Sequence, residues 1–275
     1  MAVSLREITC FVFDMDGTIN LGDTLIPGAK ELIALLRAQG RKFFFFTNNS
    51  SRSPEAYVQK LTRLGFSGMT RQHILTSGDV MIHYLKTHFG PAPYVYLAGT
   101  PELEAQFRDA GIYLCSAHEA LPPQAAVLGF DTTFDFAKAD ALCRYISAGA
   151  PFLATNIDRV CPLEGGAYLP DCGSMARMIA HATGVEPKFT GKPFRETVDF
   201  ILNAAGTPPE KTAIVGDRLY TDIATAAAGG IVGIAVLSGE VTRAEIDAQQ
   251  DIRPDYILDS AADIAAALRE DPHAE

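Results

Sequence analysis

No stretch of the sequence approaches the roughly eighteen uninterrupted apolar residues that a membrane span needs. Residues 1–6 lack a basic region followed by a long apolar run and a small-residue cleavage site, so no secretory signal is expected. Cysteine is scarce: Cys10, Cys115, Cys143, Cys161 and Cys172 are odd in number, scattered, and never spaced as Cys-x-x-Cys. That usage argues against a disulfide framework and a zinc site, and reads as a reduced, cytoplasmic protein. Basic residues are outnumbered, 23 against 33 acidic, for a formal charge of −10. Such a balance speaks against general affinity for nucleic-acid polymers, which are bound through clustered Lys and Arg. A single local positive site could still take a small phosphorylated molecule. No Gly/Ser linker, charge block or internal repeat stands out.

What is present is enough apolar side chain for a sizeable core. The chain has 275 residues, 48% hydrophobic and 20% charged, which excludes a disordered polymer. At about 150 residues per domain, the length predicts one large domain or two modest ones. Residues 8–13 are rich in β-formers and stop at Asp14. Leu25-Ile26-Pro27-Gly28 is expected to open a helix with Leu32, Leu35 and Leu36 on one face and Gly40 closing it. Residues 43–46 predict a buried strand stopping at Thr47-Asn48-Asn49-Ser50. Ser53 then reads as a helix cap with Pro54 at the first helical position. The same syntax returns at residues 212–215, which stop at Gly216-Asp217. A helix over 222–228, closed by Gly229-Gly230, and a strand over 231–237 follow. Residues 94–97, 126–128 and 151–154 add strands in the middle. Continuous apolar strands alternating with helices predict a parallel sheet covered on both faces. In such sheets, sites gather at the carboxyl ends of the strands.

The polar residues at those ends carry the chemical signal. Asp14-Met15-Asp16-Gly17-Thr18 places two carboxylates after a strand, a density of charge that calls for a cation, a basic group or a proton. Magnesium takes oxygen ligands of this kind, and Gly17 would permit a sharp turn. An Asx-turn leading to a helix cap is the competing structural explanation. Asp217 and Asp222 add a second acid cluster after another strand. Asp217 could complete a metal site with Asp14, while Asp222 could cap a helix or hold metal-bound waters. Thr47 to Ser50 offer hydroxyls, amides and backbone donors suited to phosphoryl oxygens, and Lys192 offers a positive charge in a constrained turn. His83 and His88 are off the i, i+4 spacing for shared metal ligation.

Taken together, Asp14-x-Asp-Gly-Thr, the strand ending at Thr47, Lys192, and Gly216-Asp217 with Asp222 resemble the four motifs of the haloacid dehalogenase-like hydrolases. Within them the chain looks like the NagD-like and 4-nitrophenylphosphatase-like phosphatases. Gly129-Phe130-Asp131, Ala154-Thr155-Asn156-x-Asp158, Gly191-Lys192-Pro193 and Leu237-Ser238-Gly239 also carry that resemblance. It implies an α/β fold: a Rossmann-like parallel-sheet core from residues 1–80 and 184–275, with a smaller α/β cap, 81–183, inserted. The spacing agrees. About 30 residues lie between Asp14 and Thr47, too few for a helical cap, and about 145 lie between Thr47 and Lys192, far beyond an ordinary connection.

The resemblance further implies that Asp14 is a nucleophile forming an aspartyl-phosphate and Asp16 the general acid/base. It implies Mg²⁺ held by Asp14, the Asp16 backbone carbonyl and Asp217. Thr47, Asn48, Asn49 and Lys192 would position phosphoryl oxygens, with Asp222 supporting Lys192 or the metal's waters. Residues 155–162 resemble a substrate-facing cap loop, which places Asn156, Asp158, Arg159 and Cys161 among the substrate contacts. The return loop, Gly165-Gly166 and residues 170–174, departs from the family's Gly-rich pattern at Asp171 and Cys172. Asp16 argues against dehalogenation, the missing spans against an ion pump, and the cap's position against a phosphomutase. The expected protein is a Mg²⁺-dependent phosphatase of small phosphomonoesters (nucleotide, sugar or aryl phosphates). A phosphotransferase and a non-catalytic phosphate-binding protein on the same fold are the alternatives. No membrane or nucleic-acid polymer is expected as a partner, and a homodimer through the cap stays open.

Overall fold

A computed structural model of the chain describes residues 3–163 and 166–269. Met1 and Ala2 of the N-terminal segment and Gly165 of the return loop lie outside the described residues. In chain order the elements begin with β1 (Cys10–Phe13), β2 (Asn20–Leu21), β3 (Thr24–Leu25), α1 (Ala29–Ala38), β4 (Lys42–Thr47), α2 (Pro54–Arg63) and β5 (Ile74–Thr76). Next come α3 (Ser77–Phe89), β6 (Tyr94–Ala98), α4 (Pro101–Asp109), β7 (Tyr113–Leu114), β8 (Ala125–Leu128), α5 (Phe136–Ser147) and β9 (Phe152–Ala154). They continue with β10 (Val160–Pro162), β11 (Tyr168–Pro170), α6 (Cys172–Thr183), β12 (Lys188–Phe189) and α7 (Arg195–Ala205). The last are β13 (Thr212–Gly216), α8 (Ala224–Gly229), β14 (Val232–Val236), α9 (Arg243–Ala248), β15 (Tyr256–Leu258) and α10 (Ala261–Arg269). None of the helices among the described residues is long and apolar enough to cross a membrane.

The chain divides into two compact units. The first comprises the residues up to Phe46, Tyr57–Leu75, and the chain from Pro193 onward. Its sheet has the order β15-β14-β13-β1-β4-β5. The ladders from β15 through β4 are parallel, with Phe13 in register with both Val215 and Phe45. The carboxyl ends of β13, β1 and β4 therefore stand side by side. Every residue of β1, β13 and β14 is buried, as the unbroken apolar runs require of strands covered on both faces. One face packs Phe11, Phe13 and Phe45 against Leu32 and Leu36 of α1 and Ile264 of α10. Ring centroids there lie 6.1 Å apart for Phe11–Phe13 and 6.2 Å for Phe13–Phe45. A second cluster joins Leu219, Ile223, Ala235, Val241 and Ile246.

Local signals account for most boundaries. Ser53 Oγ accepts from Ala56 N at 3.2 Å, so α2 starts at Pro54 as its cap chemistry predicts. Two segments differ from the sequence reading. Leu25, expected to lead straight into a helix, ends the short antiparallel hairpin of β2 and β3. The helix expected over 222–228 begins instead as a π-helical turn, Leu219–Ile223, before continuing as α8. Gly230, at φ 63°, then ends α8 in the left-handed region where glycine carries no steric cost.

The second unit comprises Thr47–Ala56 and Thr76–Lys192. Its sheet has the order β12-β9-β8-β6-β7 with parallel ladders throughout. Alternate strand residues face opposite ways. Val95, Leu97, Val127 and Leu153 pack against Met81 and Leu85 of α3 and Leu103 and Phe107 of α4. Tyr96, Ala98, Ala126, Leu128 and Phe152 pack against Leu142 and Tyr145 of α5 and Ile179 of α6. Strands β10 and β11 form a separate antiparallel ribbon.

The aromatic layer of the first unit should dominate its stability. Phe45→Ala is expected to cost about 3–5 kcal/mol, the usual range for deleting a fully buried ring. Denaturant unfolding followed by circular dichroism measures it; a loss below about 1 kcal/mol would contradict the packing described.

Candidate catalytic site

The site in the first unit is built by three chain segments at the carboxyl end of its sheet. Asp14 N donates to Val215 O at 2.8 Å, continuing the ladder one residue past β1. The chain then turns tightly: Thr18, Ile19 and Asn20 all donate to Met15 O, and Gly17 N donates to Asn20 O at 2.7 Å. Gly17 has φ +94°, and a Cβ there would collide with the Asp217 carboxylate, so both conformation and space demand glycine. Asp217 follows β13, and the π-helical turn brings Asp222 back toward it. Asp222 N donates to Arg218 O at 3.0 Å, and its carboxylate accepts from Arg218 N at 3.3 Å. The third segment follows β14. Glu240 N donates to Asp217 Oδ2 at 2.7 Å, and Val241 N to Asp217 O at 2.9 Å. Ser238 Oγ donates to Gly17 O at 2.8 Å, which ties this segment to the first turn.

Carboxylate oxygens of Asp14, Asp217 and Asp222 all lie within 4.8 Å of one another. Asp217 and Asp222 are 2% and 0% exposed. Burial, then the charges of Asp14 and Asp222, push the Asp217 carboxyl up from 3.8 to about 7, against the pull of Glu240 N–H and Arg218. Asp217 Oδ1 is buried with no hydrogen-bond partner among the described residues. An all-oxygen donor set with one orphaned carboxylate oxygen fits a hard divalent cation, which would relieve both the repulsion and the orphan. Arg218 Nε meets Glu240 at 2.8 Å. Burial works against the Arg218 cation, but Asp14, Tyr220, Asp217 and Glu240 outweigh it and raise its pKa.

Asp16 stands apart from the cluster. Its side chain is 59% exposed, and its Oδ1 accepts from Asn20 Nδ2 at 2.6 Å and from Lys60 Nζ at 3.2 Å. The other candidate residues belong to the second unit. Thr47 Oγ1 accepts from Asn49 N at 3.1 Å, and Asn49 Oδ1 accepts from Ser51 N at 2.9 Å. Asn49 Nδ2 points at Cys161 Sγ, 3.8 Å away. Asn48, Asn156, Asp158 and Lys192 are buried and joined by hydrogen bonds, whereas Arg159 is exposed. Asp171 caps α6. Leu237-Ser238-Gly239 carries the family resemblance, but no role in the site is expected of it from sequence. The structure places Gly239 so close to Asp217 that any Cβ would strike the carboxylate. The available signal was a third buried strand ending in a polar, glycine-containing turn.

Comparison with known proteins gives the family. A family model described as haloacid dehalogenase-like hydrolase matches residues 11–113, and a HAD-hydrolase-like model matches residues 189–264. Human glycerol-3-phosphate phosphatase is 32% identical over 296 residues, covering 96% of this chain and 92% of the relative. The crystal structure of 4-nitrophenylphosphatase from Thermotoga maritima superposes with a TM-score of 0.90 at 35% identity, covering 96% of this chain and 99% of that one. NagD from E. coli K-12 gives a TM-score of 0.84 at 25% identity, covering 93% and 97%. The chain belongs to the haloacid dehalogenase-like hydrolases, in their NagD-like and 4-nitrophenylphosphatase-like branch.

The raised Asp217 pKa has a measurable sign. Between about pH 4 and pH 7 the folded state holds a proton that the unfolded state releases, so metal-free stability falls as pH rises through that window. Asp217→Asn removes the titration. In chelator, its thermal midpoint should gain on wild type as pH rises from 5 to 7 and stay level above. A difference independent of pH would contradict the assignment.

Proposed function

We propose that this chain hydrolyses small phosphomonoesters with Asp14 as the nucleophile. It is a hydrolase of phosphoric monoester bonds, in keeping with its family. The single observation that supports the Asp14 assignment is the cluster of Asp14, Asp217 and Asp222 at the ends of two parallel strands. Such a site is poised for a cation and an anionic substrate rather than for structural duty. Mg²⁺ would be held by the Asp14 carboxylate, the Asp16 carbonyl oxygen and the Asp217 carboxylate. When bound, it supplies the positive charge that lets an anionic nucleophile approach an anionic phosphate.

Asp14 attacks phosphorus: an oxygen–phosphorus bond to its carboxylate forms while the bond to the substrate oxygen breaks. Asp16 gives its proton to the departing oxygen and then takes one from the attacking water. Attack of that water on phosphorus releases inorganic phosphate and restores the Asp14 carboxylate. Asp222, buried beside Asp217, is a supporting group for this cluster. From the family likeness, Thr47, the backbone of Asn48 and the Lys192 ammonium stabilise the phosphoryl oxygens. Residues 81–183 are proposed as the cap that selects the substrate, with Asn49, Arg159 and Cys161 among its contacts. The named relatives take glycerol 3-phosphate and 4-nitrophenyl phosphate, so a small phosphomonoester is the proposed substrate class, with the cytoplasm as its place of action.

Purified protein should hydrolyse members of a phosphometabolite panel with Mg²⁺ and lose turnover on chelation. Asp14→Asn should reduce turnover at least about 10³-fold with the fold intact. Undiminished hydrolysis by that variant, or activity that survives chelation, would refute the nucleophile and the metal respectively. Binding of phosphomonoesters without turnover, or transfer to added alcohols in place of water, would favour the alternative readings.

A further inference from the structure

Lys192 is fixed from behind by a buried chain of side-chain hydrogen bonds, all within the second unit. The Asn48 amide pairs with the Lys192 backbone at both ends. Its Oδ1 accepts from Lys192 N at 2.9 Å, and its Nδ2 donates to Lys192 O at 3.2 Å. The same Nδ2 donates to Asp158 Oδ2 at 2.8 Å. An ionised carboxylate only accepts, so Asp158 dictates which end of the Asn48 amide faces it, and hence which end meets Lys192 N–H. Asp158 is itself held in place. Its Oδ2 also accepts from Asn156 Nδ2 at 2.9 Å, and that nitrogen donates to Asp171 Oδ1 at 3.0 Å. Asn156 Oδ1 accepts from Thr155 Oγ1 at 2.9 Å, and Gly173 N donates to the Asp158 carbonyl at 2.9 Å. Just before the lysine, Gly191 N donates to Thr155 O at 2.8 Å, and a Cβ on Gly191 would collide with that oxygen. Asn48, Asn156, Asp158, Asp171 and Lys192 are all buried, so water offers these groups little competition.

We propose that Asp158 is a positioning residue for Lys192: its carboxylate orients the Asn48 amide, and the amide fixes the backbone that carries the ammonium. Asn156 and Asp171 hold Asp158 in turn. This role differs from direct contact with the leaving group, and it rests on the reading of Lys192 as a ligand of the phosphoryl oxygens. No covalent step is involved; the effect is geometric.

The test uses the full chain, Mg²⁺ and 4-nitrophenyl phosphate. Asp158→Asn keeps the volume and removes the obligatory acceptor. It should lower kcat/KM by about 10–100-fold, the range seen when a group supporting a site residue is lost. Inorganic phosphate should become a weaker competitive inhibitor by a similar factor. The decisive readout is coupling: added to Asn48→Ala, the same change should cost no more than about two-fold further, because the route through Asn48 is already cut. A residue that merely stabilises the fold would lower the thermal midpoint without that coupling. Equal losses in both backgrounds, or activity within two-fold of wild type in the single variant, would overturn the proposal. Should Asp158→Asn not fold, Asn156→Ala removes one of the bonds that seat Asp158, and the same coupling to Asn48 is required of it. Lys192→Ala separates the two levels. If it keeps the wild-type rate, the phosphoryl-binding reading of Lys192 fails. If it abolishes turnover while Asp158→Asn is silent, only the positioning role fails.

Discussion

Like charges held together at the end of a buried sheet are the constraint around which the first unit is organised. Asp14 and Asp217 emerge from neighbouring parallel strands whose register places Phe13 opposite Val215. Their separation is therefore set by backbone hydrogen bonds, and side-chain rotation cannot relieve it fully. At about 4 Å, two such charges repel by roughly 4 kcal/mol in a surface-like dielectric of about 20. Backbone donors and the Arg218 guanidinium offset part of that repulsion at Asp217. Glu240 N–H bonds one oxygen of Asp217, while the other is left without a partner among the described residues. Glycines at 17, 216 and 239 let three backbones close on the carboxylates where a Cβ would collide. Three oxygen donors drawn together, with Asp217 Oδ1 left without a hydrogen bond among the described residues, fit a cation that arrives from outside the chain.

The strands and the acids were legible in the sequence because each is encoded locally. A parallel strand buried on both faces reads as an unbroken apolar run, and residues 10–13, 213–216 and 232–236 all do. Asp14 and Asp217 each follow such a run, so their convergence could be expected once the sheet was assumed parallel. After β14, the parts played by Glu240 and Val241 were not legible, since they work through N–H groups that any residue could supply; Ser238 and Gly239 left only the weak signal of a polar, glycine-containing turn. The π-helical turn before α8 was missed for a related reason. Its extra residue is imposed by the need to bring Asp222 beside Gly216, a tertiary demand with no periodic signature. The hairpin at residues 20–25 was likewise hidden, being only two residues deep on each side.

In the second unit the sheet was legible and the wiring was not. Val95, Leu97 and Val127 face one helical layer and Tyr96, Ala98 and Ala126 the other, which continuous apolar runs foretell. The segment from Thr155 to Cys161 mixes polar residues with Ile157 and Val160, and its pattern does not say which of the polar ones turn inward. Asn156 and Asp158 are buried and bonded to each other, while Arg159, the next residue along the chain, is exposed. Buried polar groups of this kind must be satisfied together or not at all, and here the donors of Asn48 and Asn156 meet the acceptors of Asp158 and Asp171. The result is a rigid path from the start of α6 to the backbone of Lys192.

The claim on which the functional account turns is that carboxylates from β1 and β13 jointly hold a divalent ion. Anomalous scattering from a crystal of the wild-type protein soaked with Mn²⁺, a scattering substitute for Mg²⁺, tests it directly. The account predicts a peak within coordination distance of both the Asp14 and Asp217 carboxylates, absent from Asp217→Asn crystals treated alike. A peak elsewhere, or none at these two residues at saturating Mn²⁺, would contradict it.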